Sequence, residues 1–457
     1  EYLSDGCIVD FDAWESTWEK AFTTLRVRDA SKWSSPSQIK SSSILNSNNP
    51  HESGASLIDG KCAHPICVVE AGHTNYHTAN SAASTVHAEA FARKQRETMA
   101  EILFEKMDAP HLFIAPAPAL AAFSVGRQSG LVVDVGGGGC RATPIIDGLM
   151  LKGAQRRSGR GGEWLSDVQY RILNQRGIKV NPRYAVKVKY ERGGGGSSTT
   201  SDGSSSSDVI MEDRNNDNKS TEEMGRVGGM KKIVQYPPTT TNSFHRNALR
   251  DVMYEMKTGG HCVVPNYTDA PTDGSKGSST NSAAAVASSD ATSSEENFHN
   301  YELPDGTQVD IGGSGSNLRS LPGLLFEELA DDATRSSSLS SQSVVARTLT
   351  TLPLHKMAHE ALSQADIDAR KELCGNIILC GATTLFPNLE QRLSAEMSAI
   401  CPFTYKCKII AAKPVERQFA SWIGASVLTS LGSFQQLWLS KLEYEEYGVT
   451  LGCQRFP

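Results

Sequence analysis

The sequence predicts an α/β fold in which sheets of buried strands are covered by amphipathic helices. Three observations carry that reading. Short apolar runs at 112–114, 131–134 and 376–379 end at small residues, as strands buried on both faces do. Met99, Ile102, Leu103 and Met107 share one helical face across 91–107. Strand, tight turn and helix then recur along the chain, the order that lays helices onto a sheet.

Each element follows from its local pattern. The run 112–123 is the most apolar in the chain, but Pro116 and Pro118 interrupt it and it is too short to span a membrane, so no membrane partner is expected. The strand at 131–134 runs into Asp134-Val135-Gly136-Gly137-Gly138-Gly139. The strand at 376–379 runs into Cys380-Gly381-Ala382-Thr383-Thr384, where Thr383 or Thr384 suits a helix N-cap. Towards the end, Ile423, Val427, Leu431, Phe434 and Trp438 keep helical spacing.

Four polar stretches separate these elements: 31–56, 193–208, 268–297 and 336–343. They are rich in Ser, Gly, Asn or Thr and bury too little apolar surface to offset the entropy of ordering them. Patterned sequence resumes after each, so they read as disordered insertions. At 457 residues the chain is long enough for two or three cores. A formal net charge of -6 gives no general reason for phosphate-backbone binding. The ten cysteines read as scattered singles without a metal-type pair, which suits a reducing compartment, cytosol or nucleus.

Two stretches carry chemistry. Glycines at 136–139 let backbone N–H groups approach an anion, and an acidic strand end such as Asp134 holds a metal ion beside phosphates directly or through water. The plain alternative is a tight connection. Gly381-Ala382-Thr383 is either a strand-to-helix turn or a backbone surface for a base or ribose. The two turns, roughly 245 residues apart, are what a cleft between two similar α/β halves needs. That architecture is shared by actin, sugar kinases and the seventy-kilodalton heat-shock chaperones.

A resemblance narrows the choice. Residues 376–387, 408–411, 421–426 and 433–441 resemble consecutive segments of actin, as do Tyr301-Glu302-Leu303-Pro304-Asp305-Gly306 and the lead-in Gly126-Arg127-Gln128-Ser129-Gly130. The tail 441–446, Gly161-Gly162-Glu163 and 174–189 are similar to the nuclear actin-related protein 4 (actin-like protein 6) subgroup.

The resemblance implies an actin-like two-domain ATPase fold. Its subdomain 1 would be 1–124 and 420–457, subdomain 3 would be 125–160 and 350–419, and subdomain 4 would be 161–349. It implies a nucleotide site, ATP with Mg, at Asp134, Gly136, Gly137, Gly138, Gly162, Lys189, Gly381, Ala382, Thr383 and Gln418, with Asp134 holding Mg through water. It also implies a groove for a partner helix at Phe123, Val427, Leu428 and Leu431, although Val427 and Leu431 equally suit the buried face of their own helix. The partners implied are a scaffold helix of a chromatin-remodelling ATPase, actin or another actin-related protein, and histones or nucleosomes, in the nucleus.

Departures from actin bear on activity. Gly137 stands where actin carries a second Asp, Arg141 where it carries a His, and Ala117 where it carries the Gln that positions water. Gly and Ala side chains orient nothing, and Arg does not accept a proton. Weak or absent hydrolysis is the expectation. The chain begins at Glu1 and matches actin only beyond its first phosphate loop, so a sequence lacking its N-terminal part is expected.

Overall fold

The strands read from the sequence form: those at 112–114 and 131–134 extend a little beyond their apolar runs, and that at 376–379 is shifted by one residue, to 377–380. The computed structural model describes residues 3–4, 7–8, 10–25, 64–71, 82–190, 223–227, 230–237, 239–267, 300–312, 318–328, 352–449 and 455–456. The four polar stretches lie outside the described residues.

The chain opens with β1 (Leu3–Ser4), β2 (Cys7–Ile8) and α1 (Phe11–Leu25), then β3 (Ile66–Glu70) and α2 (Ala82–Glu101). Next come β4 (His111–Pro116), α3 (Ala117–Ser124), β5 (Gly130–Val135), β6 (Cys140–Ile146), β7 (Leu149–Met150) and β8 (Arg156–Ser158). They are followed by α4 (Gly162–Gln175), β9 (Val186–Tyr190), β10 (Glu223–Val227), β11 (Met230–Val234) and α5 (Asn242–Thr258). A hairpin of β12 (Asn300–Glu302) and β13 (Gln308–Asp310) precedes α6 (Leu354–Ser363), α7 (Ile367–Gly375) and β14 (Ile377–Cys380). The C-terminal part holds α8 (Leu389–Ile400), β15 (Ile409–Ala411), α9 (Pro414–Gln418), α10 (Ala420–Thr429), β16 (Leu439–Ser440) and α11 (Lys441–Tyr447).

The chain divides into two units. The larger takes Glu1–Trp164, Val264–Ala270 and Gly323–Pro457; the smaller takes Leu165–Val263 and Pro271–Pro322. In the larger unit one sheet runs β15-β14-β5-β6-β7, with β8 also paired to β6. β14 is parallel to both β15 and β5, and the remaining pairs are antiparallel. A second sheet runs β16-β4-β3 and packs on a core that includes Leu103, Phe104, Leu112, Ile114 and Phe434. In the smaller unit β10-β11-β9 form an antiparallel sheet, and Val252, Met253 and Met256 of α5 pack with Leu173, Leu303 and Val309. Among the described residues no helix is long and apolar enough to cross a membrane.

The helix expected across 91–107 is α2 continued by a π-helical turn, Ile102–Lys106, and the four residues read as its core face are all buried. The C-terminal pattern resolves differently. α10 ends at Thr429, and Leu431, Phe434 and Trp438 lie beyond it on a short 3-10 turn and its flanks. Thr429 Oγ1 bonds Ala425 O at 2.8 Å and Ser430 Oγ bonds Ser426 O at 2.6 Å. Gly432 and Ser433 follow, both weak helix formers, so back-bonding hydroxyls and low propensity stop the helix there.

At α11 a capping box is complete. Ser440 Oγ accepts from Glu443 N at 3.2 Å, and Ser440 N donates to Glu443 Oε2 at 2.9 Å. Arg455 adds two contacts to the same carboxylate. The bonds from Ser440, reinforced by Arg455, hold the Glu443 carboxyl down to about 2. A depressed folded-state value stabilises the fold above the unfolded pKa of about 4.3 and ceases to do so as pH falls towards 2. Ser440→Ala is expected to cost about 1 kcal/mol in urea unfolding at neutral pH. In Glu443→Gln the part of the acid sensitivity between about pH 5 and 2 should disappear.

Candidate functional site

The two small-residue turns meet because β5 and β14 are neighbouring parallel strands of one sheet, with Leu379 opposite Val133 and Cys380 opposite Asp134. One turn in each of two similar halves, as the sequence suggested, is therefore not the arrangement. Both turns belong to the larger unit, and proximity across a parallel pair replaces proximity across two halves.

Gly381 makes the junction possible. Its backbone sits at φ 94° and ψ 148°, a region open essentially only to glycine. A Cβ there would lie 2.4 Å from Val135 O and 2.6 Å from Asp134 Oδ1. Neither Thr383 nor Thr384 caps a helix, since the cap position of the 3-10 turn Ala382–Leu385 is Gly381 without a side-chain bond. Instead Thr383 Oγ1 donates to Gly136 O at 3.0 Å, tying one turn to the other. On the far side Gly381 N donates to Arg417 O at 3.0 Å and Arg417 Nη1 donates to Thr384 O at 3.2 Å. α9 is thereby stapled to this turn, with Gln418 exposed at its end and Ala382 exposed on the turn itself.

The glycine loop is closed by its own backbone, with Gly136 N donating to Gly139 O at 3.0 Å. The first N–H groups of α4 bind the loop: Gly162 N donates to Gly136 O at 2.9 Å and Glu163 N to Gly137 O at 2.8 Å. A helix start leaves such donors without intrahelical partners, and here loop carbonyls take two of them. Gly161 must be glycine, because a Cβ would fall 2.4 Å from Gly139 N. At the exposed tip the N–H groups of Gly137 and Gly138 enter no hydrogen bond with another described residue, and a Cβ on Gly138 would meet nothing within 4 Å. Two backbone donors with no acceptor among the described residues, at the exposed tip of a pinned loop, fit an anionic phosphate.

Below the tip, Asp134 pairs in register with Arg141 of β6. Burial pushes its carboxyl above the usual range, while the Arg141 charge and a hydrogen bond with Cys380 pull it back down. Arg141 thus acts on Asp134 as a counter-charge. An oxygen ligand of this kind suits a hard cation such as Mg2+ held through water. Lys189 lies apart from this set in sequence, on β9 of the smaller unit opposite Lys231.

At the other candidate surface, α10 crosses α3 through small residues. Ala420, Gly424 and Ala425 are its buried face, and Ala119, Leu120, Ala121 and Ala122 are buried on α3. With that face made of small residues, Val427 of α10 is 47% exposed, and Leu431, two residues past the end of α10, is 50% exposed. The reading of these two as a buried helix face is overturned. Phe123 and Leu428 are half-buried against the core behind them.

One grouping escaped the sequence reading. The sulfurs of Cys374, Cys401 and Cys407 all lie within 4.8 Å of one another. The cysteines are not all scattered singles. Only the Cys401–Cys407 spacing hinted at it, and the third member lies 27 residues upstream of Cys401, across a strand and a helix.

The fold agrees with comparisons to known proteins. A family model described as Actin matches residues 1–457. Actin-related protein 4 of Arabidopsis thaliana is 32% identical over 366 residues, covering 80% of this chain and 69% of that protein. Its Oryza sativa subsp. indica namesake is 31% identical over 80% of this chain and 68% of its own length. The Schizosaccharomyces pombe (strain 972) namesake is 27% identical over 76% of this chain and 70% of its own. With a family match along its whole length and a glycine loop pinned between neighbouring strands of one α/β sheet, the chain belongs to the actin family.

Proposed function

We propose that this chain is a non-catalytic, nucleotide-binding assembly subunit of nuclear chromatin-remodelling and histone acetyltransferase complexes. The observation that carries the nucleotide part is the loop tip, where Gly137 and Gly138 are exposed and their N–H groups bond to no described residue, on a loop held by α4 and Thr383. ATP with Mg is the ligand this chemistry favours. A Cβ on Gly137 would lie 3.6 Å from Glu163 Oε1, so a carboxylate stands beside the tip. A phosphate next to that carboxylate and Asp134 is better accommodated when a divalent cation shares its charge. When bound, the cation supplies charge neutralisation between Asp134 and the phosphates.

The same site is poorly equipped for hydrolysis. Gly137 and Ala117 offer no polar side chain to orient water, and the Arg141 guanidinium is a permanent cation that accepts no proton. Nucleotide in such a site stabilises the folded state by binding it selectively. The full-length protein is expected to gain about 2.7 kcal/mol of stability at a hundredfold excess of Mg-ATP over Kd, read as a rise in Tm. Phosphate release in the same samples should stay at background. Turnover at the rate of a filament-forming actin would sink the non-catalytic reading.

The partner part is supported by the outward Val427 and Leu431 beside the half-buried Phe123 and Leu428. An apolar strip of this kind receives amphipathic helices. The resemblance to nuclear actin-related proteins points to a helix of a remodelling ATPase or scaffold, with actin or another actin-related protein alongside and histones as further contacts. Affinity purification of the full-length protein tests this. Remodelling ATPase and histone-complex subunits should co-purify, and Val427→Asp should abolish their recovery with Tm unchanged. Recovery of cytoplasmic filament proteins alone would refute it.

A further inference from the structure

Cys374 is buried near the C-terminal end of α7, Cys401 is buried at the residue just after α8, and Cys407 is half-buried in the segment leading to β15. Three separate backbone features fix these positions. Cys401 N donates to Met397 O at 2.9 Å, closing α8. Lys408 N donates to Cys374 O at 3.1 Å, and Ile377 N donates to Lys408 O at 2.9 Å, so the Cys407 segment is laced to the end of α7. Between Cys401 and Cys407, Tyr405 N donates to Pro402 O at 2.8 Å and turns the chain back. The three side chains are carried to one point by the scaffold.

From this convergence we infer that Cys374, Cys401 and Cys407 form a binding site for a thiophilic divalent cation, Zn2+, with solvent as the fourth ligand. The Sγ atoms of Cys374 and Cys407 are 3.2 Å apart, and all three sulfurs fall within 4.8 Å. Zn–S bonds of about 2.3 Å in a tetrahedron place sulfurs roughly 3.8 Å apart, within the range these side chains already span. Small side-chain rotations suffice. Three sulfur donors with no carboxylate or imidazole among them select a soft or borderline cation over Mg2+ or Ca2+. A disulfide would use two of the thiols and leave the third without a role. Cys407 supplies the edge open to solvent, where a water completes four-coordination. Exposed Lys406 and Lys408 flank it and offset the net negative charge of a three-thiolate zinc centre. As each Zn–S bond forms, the thiol proton passes to solvent, so uptake is tighter at higher pH. Sequence reading misses the site because its ligands lie on three elements that only the fold assembles.

Cobalt is the spectroscopic probe and zinc the thermodynamic one. The full-length protein, reduced and stripped with a chelator, is titrated with Co2+ and then with Zn2+. One equivalent of cobalt should give thiolate-to-cobalt charge-transfer absorption with tetrahedral visible bands, and one equivalent of Zn2+ should bleach both. Zn2+ should raise the Tm of the wild type. Cys401→Ser and Cys407→Ser should lose the spectrum and the Tm rise while keeping the metal-free Tm of the wild type, and Cys262→Ser, whose thiol is not one of the three clustered sulfurs, should keep both. If those two variants fail to fold, alkylation protection decides: zinc should shield these three thiols, identified by peptide mapping, from a maleimide. Absent cobalt absorption, uptake of Cu+ but not Zn2+, or a Cys374–Cys407 disulfide that persists until strong reductant is added would overturn the assignment.

Discussion

Gly424→Ala is expected to destabilise the larger unit by roughly 3 kcal/mol or more, the upper end of what overpacking costs. The added methyl would lie 1.8 Å from Leu120 O and 2.5 Å from Leu120 C. Both are backbone atoms, so no side-chain rotation relieves the overlap and α10 must move away from α3. That movement would open the packing of Ala119, Ala121, Ala122 and Ala420, which share a core with Val132, Ile145 and Ile378 of the main sheet. The damage should therefore reach the sheet that carries the Asp134 loop. Gly432→Ala is the matched control, since a Cβ there meets nothing within 4 Å, and it should stay within about 0.5 kcal/mol of the wild type. Urea unfolding of both variants checks the pair. A Gly424→Ala protein as stable as Gly432→Ala would show that the helices do not cross at this glycine.

Gly381→Ala should remove both stability and nucleotide binding. Two costs add: the φ of 94° places a side chain in a region of strain worth about 1–3 kcal/mol, and the methyl would overlap Val135 O and Asp134 Oδ1. A total of about 3 kcal/mol is expected, with the Mg-ATP-dependent rise in Tm abolished because Asp134 and the Thr383 tether are displaced together. Gly138→Ala separates the two effects. Its backbone does not require glycine and its surroundings are open, so its Tm without ligand should match the wild type. A Gly381→Ala protein with wild-type Tm and a full response to Mg-ATP would rule out this account of the junction.

Much of the candidate site was legible before any coordinates. Asp134, Gly136, Gly381 and Thr383 sit at strand ends marked by apolar runs, and strand ends followed by small residues are local signals. The outward set of Val427 and Leu431 was not legible as such. Helical periodicity finds a stripe but not its direction, and here Gly424, Ala420 and Ala425 form the contacting face because α3 approaches closely. The roles of Thr383 and of the α4 N–H groups were invisible too, because their acceptors, Gly136 O and Gly137 O, are distant in sequence.

The sequence by itself determined the α/β class, the places of β4, β5 and β14 to within two residues and the actin-family membership, and it raised the expectation of weak hydrolysis from Gly137, Ala117 and Arg141. These are properties of residue type and local period, which survive without coordinates. Only the tertiary structure decided that β5 and β14 are neighbours, so that Asp134 and Gly381 form one junction. It alone decided that α10 buries its small face, and that three cysteines from α7, the end of α8 and the approach to β15 share one point. Each of these depends on contacts between segments far apart in the chain. Such contacts are set by packing and strand register, and neither is encoded in any one stretch of residues.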